Sequence, residues 1–304
     1  MNLRQFLAIV EIRTKIVSLS TYALATVYLV YRGKALDGVN AILMLLAMLF
    51  VDMGTTGFNS YFDHKSGVDS ARHNREESKV VVHEGVSASA ALGVSIALFL
   101  AALPLGAFLA WRAGWLVLVA GVIGMGIGYF YTGGPWPISS TAFGEFFAGG
   151  ALGPLLFWTV WYVHAGFPDW PTFFAALPST LAIASILTVN NTCDIVGDSD
   201  AGRRTLSIRF GSTMGRRLAE AEALGAFLLA SVLGLLRIFP IWTFALMMVG
   251  AAAAFVELRG MGKQGYNHET KALAMGGISR IFLIYTLALS ITLLAGRWIP
   301  YRNA

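Results

Sequence analysis

Cysteine is almost absent: Cys193 is the one thiol in 304 residues, so no internal disulfide can form. Charge is scarce as well, with Asp, Glu, Lys and Arg making up 13% of the chain against 56% hydrophobic residues. That balance excludes a disordered chain, which stays unfolded only when apolar residues are few, and a soluble enzyme, whose surface needs charge. The roughly ten-residue alternating stretches of a membrane β-barrel are missing too. What remains is an all-α membrane protein, in keeping with a mean hydropathy of +0.66. The net charge of +5 does not point to nucleic acid, because membrane proteins carry a basic excess for topological reasons. Neither a nucleic acid nor an obligate protein partner is expected; membrane lipid is.

Nine segments are long and apolar enough to predict transmembrane helices: Ile16–Tyr31, Val39–Tyr61, Val86–Trp111, Trp115–Tyr131, Phe143–Val163, Phe173–Cys193, Leu218–Leu236, Ile241–Leu258 and Gly276–Leu294. A helix rising 1.5 Å per residue needs roughly 20 residues to cross about 30 Å of hydrocarbon, and most of these runs suffice. They predict one polytopic domain over residues 1–304. Charges at Arg4, Glu11, Arg13 and Lys15 interrupt any secretory apolar region, so no cleavable signal peptide is expected. Sorted by parity, the connections on the N-terminal side, with Arg280, hold sixteen of the 22 Lys and Arg. The positive-inside rule makes that side cytoplasmic, with the N-terminus inside and the C-terminus outside a cell inner membrane. The longest polar connections follow the second and sixth segments, both cytoplasmic, and are the expected carriers of function.

Those two places share a pattern. Asn59 precedes Asp63 by four residues, and Asp69 follows. Asn190, Asp194 and Asp198 repeat the four-residue step, ahead of Asp200. Residues four apart share a helix face, so each set predicts an oxygen cluster at a cytoplasmic helix end. Carboxylates at a helix C-terminus oppose its dipole and repel one another unless a cation intervenes. Hard oxygen ligands suit Mg²⁺, held by a few carboxylates together with substrate phosphate oxygens. Arg72, Arg75 and Lys79 follow the first cluster; Arg203, Arg204 and Arg209 follow the second. Guanidinium groups bind phosphate oxygens bidentately, so a diphosphate fits beside such a site.

These motifs resemble the UbiA superfamily of intramembrane prenyltransferases, and within it the 1,4-dihydroxy-2-naphthoate polyprenyltransferase branch. The likeness rests on five residues between Asp63 and Asp69, on Tyr131-Thr132-Gly133-Gly134-Pro135-Trp136-Pro137-Ile138 followed by Gly144-Glu145, and on Asp198-Ser199-Asp200-Ala201-Gly202-Arg203-Arg204-Thr205-Leu206. Ser60 departs from the family, which usually has Asp there, and removes one carboxylate from the first cluster. The resemblance implies a nine-helix bundle around a central cavity open to the cytoplasmic side and to lipid. It implies catalytic roles for Asp63, Asp69, Asp194 and Asp198. Asn59, Asp63 and Asp69 would hold one Mg²⁺; Asp194 and Asp198, with Asn190, the other. Arg72, Lys79, Tyr131 and Arg204 are implied diphosphate contacts, with Tyr131 near the departing group. The implied substrates are a polyprenyl diphosphate and an aromatic acceptor, 1,4-dihydroxy-2-naphthoate, prenylated with loss of its carboxylate to give demethylmenaquinol in menaquinone biosynthesis. Other acceptors of the same superfamily are 4-hydroxybenzoate, homogentisate, haem and a glycerol-phosphate lipid.

Other residues leave alternatives open. Asp52 lies inside the second segment on roughly the face of Asn59, and is either functional or satisfied by Thr55, Thr56 or a neighbouring Arg. Glu145 either orients the acceptor or favourably charges its helix N-terminus. Arg13 and Lys15 either touch diphosphate or anchor at the interface. The stretch Gly124-Met125-Gly126-Ile127-Gly128 sits in a span and predicts close helix packing rather than nucleotide binding. An ion-coupled transporter using Asp52, Asp63 and Asp194 is the alternative from another class; the cluster at cytoplasmic helix ends favours the enzyme.

Overall fold

The computed structural model describes residues 1–69, 80–83 and 85–298. Among them the regular structure is all helix. The main elements are α1 (Leu3–Ile9), α2 (Ile16–Tyr31), α3 (Gly38–Ser66), α4 (Ala88–Ala113), α5 (Leu116–Phe130), α6 (Gly144–Ala165), α7 (Trp170–Cys193), α8 (Ile195–Asp200), α9 (Leu206–Phe210), α10 (Ser212–Leu235), α11 (Thr243–Gln264) and α12 (Lys271–Trp298). Helix occupies each of the nine predicted segments. Seven of these helices, α3, α4, α6, α7, α10, α11 and α12, are long and apolar enough to cross a membrane. The protein is therefore a multi-pass membrane protein. The other two, α2 and α5, have 16 and 15 residues, short of the roughly 20 that a full crossing takes. Large apolar side chains such as Leu100, Val249, Val256 and Ile291 lie exposed on the spans, as lipid contact requires.

Local chemistry explains several boundaries. Ser87 caps α4 by accepting from the backbone N–H of Ala90. Asp169 does the same for α7 at Thr172, and Pro171 follows at a position where no N–H is needed. Two helices are irregular. Pro154 lies in a π-helical stretch, Ala151–Leu155, within α6. In α7, a break at Ala176 precedes Pro178.

The chain divides into two compact units. The first comprises Met1–Leu19, Val39–Gly144 and Val196–Thr205; the second comprises Ser20–Gly38, Glu145–Ile195 and Leu206–Ala304. In the first, α3 meets α4 and α5 through small residues. A Cβ on Gly57 would strike the Ser95 hydroxyl, and one on Gly128 the Thr55 hydroxyl. Of the glycine stretch in α5, Gly128 packs closely whereas Gly126 faces open space. Phe58, Phe62, Phe99 and Tyr129 make edge-on and stacked contacts around the same junction. The second unit centres on α7, α10 and α12, with Phe227, Tyr285 and Phe282 buried among them.

Candidate functional site

The C-terminal turns of α3 bring Asn59 and Asp63 to one side of the first unit. Asn59 Oδ1 accepts from the Thr132 hydroxyl at 2.9 Å. Asp63 Oδ1 accepts from Arg203 Nη2 at 2.6 Å, and Arg203 Nη1 donates to Asp198 Oδ1 at 3.1 Å. One guanidinium thus gathers carboxylates from the two acidic motifs. All three side chains are sheltered, at 15%, 11% and 5% exposure for Asp63, Arg203 and Asp198. Burial works against the Arg203 charge, but Asp63, Asp198 and Tyr131 outweigh it and hold its pKa above the usual arginine range. After α3 the chain reverses through Gly67, whose φ of +81° suits glycine. The N–H of Asp69 then bonds the Asp63 carbonyl at 3.0 Å, and Asp69 is buried. The five-residue spacing is the length of that reversal.

Backbone bonds tie the remaining pieces of this unit together. The Ser139 N–H donates to the Tyr131 carbonyl at 2.8 Å, and the Arg204 N–H to the Ser140 carbonyl at 2.9 Å. The Tyr131 hydroxyl lies beside Gly144. The Tyr131–Ile138 loop is therefore fastened to the segment that carries Asp198 and Arg203. Arg72 and Lys79 lie outside the described residues.

The second unit holds the other half of the predicted site. Asp194 ends α7, its N–H bonded to the Asn190 carbonyl at 3.1 Å. Lys271, at the start of α12, donates to Asp194 Oδ2 at 2.6 Å. The expected single stripe through Asn190, Asp194 and Asp198 does not form, because α7 stops at Cys193 and α8 starts anew at Ile195. Next to Asn190, Asn191 donates to Glu145 Oε1 at 2.8 Å. Thr188 donates to Glu222 Oε2 at 2.6 Å.

The structure gives partners to Asp52, Lys15 and Glu145. Asp52 pairs with Lys15 at 2.7 Å and also accepts from the Ser18 hydroxyl at 2.6 Å. Lys15, 1% exposed, further reaches the Asp52 carbonyl and the Thr56 hydroxyl. The pair ties the N-terminal segment to α3, whereas Arg13 is exposed. Glu145 is buried in the first turn of α6 and bound to Asn191.

Spacing along the chain did not reveal Arg203 as the bridging group, Lys271 as the partner of Asp194, or Thr132 as that of Asn59. Glu222 was legible and overlooked: an acid inside the apolar run Leu218–Leu236 is a functional suspect by cost alone. The donor set of Asn59, Asp63, Asp69 and Asp198 is all hard oxygen, as Mg²⁺ prefers, and a cationic group already sits between two of its members. No group of three His, Cys, Asp or Glu stands close enough to hold a metal among the described residues. A site completed by substrate phosphate oxygens needs only one or two carboxylates.

A family model described as the UbiA prenyltransferase family matches residues 18–285. A 1,4-dihydroxy-2-naphthoate octaprenyltransferase of Bacillus subtilis is 30% identical over 219 residues, 71% of this chain and 66% of that protein. The chain thus spans about two thirds of that relative. The Mycobacterium tuberculosis protein of the same name is 29% identical over 235 residues, 73% of each chain. Among solved structures, a UbiA homologue of Archaeoglobus fulgidus bound to GPP and Mg²⁺ superposes with a TM-score of 0.69 at 15% identity, covering 96% of this chain and 99% of that one.

Proposed function

The chain belongs to the UbiA prenyltransferase family, and from that premise we propose that it transfers a polyprenyl group from an allylic polyprenyl diphosphate to 1,4-dihydroxy-2-naphthoate. The bridge from Arg203 to Asp63 and Asp198 carries this reading, since it holds one carboxylate of each acidic motif at one cationic point. The names of the curated relatives support the acceptor. Asn59, Asp63, Asp69 and Asp198 would hold one Mg²⁺, and Asp194 with Asn190 another. Bound there, the metal neutralises diphosphate oxygens and eases departure of the leaving group.

The chain's own groups do the rest. Arg203 and Arg204, with Arg72 and Lys79, bind the diphosphate, and Tyr131 lies near its departing end. The bond between the allylic carbon and the diphosphate oxygen breaks, its electron pair leaving with the diphosphate. The carboxylate-bearing carbon of the ring bonds to the allylic carbon. The carboxylate leaves as CO₂, and its bonding pair restores aromaticity. Apolar spans keep water from the cation. The basic excess of the cytoplasmic connections supports a site facing the cytoplasm, with the N-terminus inside and the C-terminus outside.

The test is mass spectrometry of product from purified protein given a polyprenyl diphosphate, 1,4-dihydroxy-2-naphthoate and Mg²⁺. Asp63→Ala and Asp194→Ala are expected to lower turnover by about 10²–10³-fold each, the scale of losing one electrostatic stabiliser of a leaving group. Turnover that survives both substitutions, or that persists without divalent metal, rejects the mechanism. Prenylation of another aromatic in place of the naphthoate moves the acceptor, not the reaction class.

A further inference from the structure

Glu145 and Glu222 take no part in the reading above. Glu145 is 3% exposed, and its Oε2 has no hydrogen-bond partner among the described residues. Its Oε1 accepts from Asn191 at 2.8 Å. Glu222, well inside α10, accepts from Thr188 at 2.6 Å. The two carboxylates are near enough for the charge of Glu145 to act on Glu222. Thr188 and Asn191 are three residues apart on α7, so one face of that helix fixes both acids. All four residues belong to the second unit. Among the described residues neither acid has an ion-pair partner, in contrast to Asp194, which lies three residues beyond Asn191 and pairs with Lys271.

Two carboxylates in a span, with one oxygen left without a donor, are costly in low dielectric and are relieved by a hydrogen-bond donor. Among the described residues no donor reaches that oxygen, so a bound ligand's hydroxyl would relieve it. At 1.5 Å of rise per residue, Asn191 and Thr188 lie about 4.5 and 9 Å below Asp194 along α7. A group bound between the acids therefore sits membrane-inward of the diphosphate end, about one aromatic ring away.

We propose that Glu145 and Glu222, set by Asn191 and Thr188, form the hydrogen-bond-accepting seat for a ring hydroxyl of the aromatic acceptor. The inference rests on the prenyl-transfer reading and assigns its acceptor half. A carboxylate accepting from a ring hydroxyl also pushes electron density into the ring, which is what attack on an allylic cation needs.

The test uses full-length protein in lipid nanodiscs and equilibrium dialysis with labelled 1,4-dihydroxy-2-naphthoate, with its ring O-methyl ethers, and separately with inorganic pyrophosphate plus Mg²⁺. Glu145→Gln and Glu222→Gln are expected to weaken binding of the free hydroxyl compound about ten- to one-hundred-fold, the worth of a hydrogen bond to a charged group. The ethers, which cannot donate, are expected to bind parent and variants alike, and pyrophosphate binding to change by less than about two-fold. Thr188→Val, which frees Glu222 without touching either acid, should give a smaller loss with the same preference for the hydroxyl. Unchanged affinity for the hydroxyl compound in both Gln variants overturns the seat. An equal loss for the ethers overturns it too, because that marks structural damage rather than a lost donor contact. If the parent protein prenylates the naphthoate while both Gln variants bind it normally, the seat is wrong and the reaction stands. If the parent binds a different hydroxylated aromatic with the same sensitivity to Gln, the seat stands and the naphthoate assignment falls.

Discussion

The sheltered carboxylates of the two units are treated differently. In the first, Asp52 meets Lys15, and Asp63 and Asp198 share Arg203. In the second, Asp194 meets Lys271, yet Glu145 and Glu222 reach only an amide and a hydroxyl among the described residues. A charge taken out of water must be balanced, and an ion pair balances it at the cost of desolvating both partners. Acids matched in this way are either structural pins or places where one cation can exchange for another. Acids matched only by neutral donors keep an unfilled accepting capacity, and a ligand can fill it. The position of the cation thus sorts the acids by role.

The largest effect that sharpens this contrast is on stability. Asp52→Ala leaves Lys15 buried without its carboxylate and is expected to cost about 3–5 kcal/mol of unfolding free energy in detergent. Replacing both partners, with Lys15→Met and Asp52→Leu together, should recover most of that loss. Glu222→Gln keeps an oxygen for Thr188 and strands no cation, so its stability cost is expected to stay below about 1 kcal/mol. A Gln variant as damaging as Asp52→Ala would break the comparison, because it would make Glu222 a structural acid like the others.

Most of the spans were legible because about 20 apolar residues in a row admit few other readings, and seven of the nine predicted segments fall on helices long and apolar enough to cross a membrane. The acidic motifs were legible for a related reason: Asn59 and Asp63 fall on one face of an unbroken helix, where spacing in sequence is spacing in space. Spacing failed where the helix did. The run from Asn190 looked continuous through Asp198, but α7 ends at Cys193 and a new helix starts at Ile195, so the two aspartates answer to different cations. Arg203 was visible as a base beside the second acidic motif and Lys271 only as part of a basic excess, but neither pairing was, because Asp63 and Asp194 lie 140 and 77 residues away. Long-range pairing of that kind leaves no local trace. Glu222 did leave one, as an acid within an apolar run, and reading every intramembrane acid as Asp52 was read would have found it. The connection after α3, with Arg72 and Lys79, carries expectations that the described residues do not reach.

A middle-sized effect asks whether compensation, rather than membership of a unit, is what matters. Lys271→Met removes the partner of Asp194 in the unit that also holds the uncompensated pair. Lys271 and Asp194 are 16% and 20% exposed, more open than Lys15, so a loss of about 1–2 kcal/mol is expected from the same unfolding measurement. A loss as large as that of Asp52→Ala would mean that solvent screens this pair less than its exposure implies. No loss at all would separate Asp194 from the pinned acids and leave it as an open site.

The smallest effect comes from a pair more open to solvent than Lys15–Asp52 or Lys271–Asp194. Arg32 binds Asp169 Oδ2 at 2.8 Å while its guanidinium lies over the rings of Tyr28 and Trp161. Burial pushes the Asp169 pKa up, but the bonds from Arg32 and Thr172 outweigh it and hold the carboxyl at about 2, below its ordinary 3.8. A depressed carboxylate stabilises the fold above its unfolded pKa, and that contribution is lost as pH falls through the folded value. The relevant window therefore runs from about pH 4 down to about pH 2. Because Asp169 is 47% exposed, solvent screening keeps the expected cost of Asp169→Asn below about 1 kcal/mol at neutral pH. Thermal unfolding followed across that window should show the parent protein losing its advantage over Asp169→Asn on acidification. An advantage that persists unchanged at the acid end would show that the carboxylate's charge contributes nothing and that Asp169 acts only as the cap of α7.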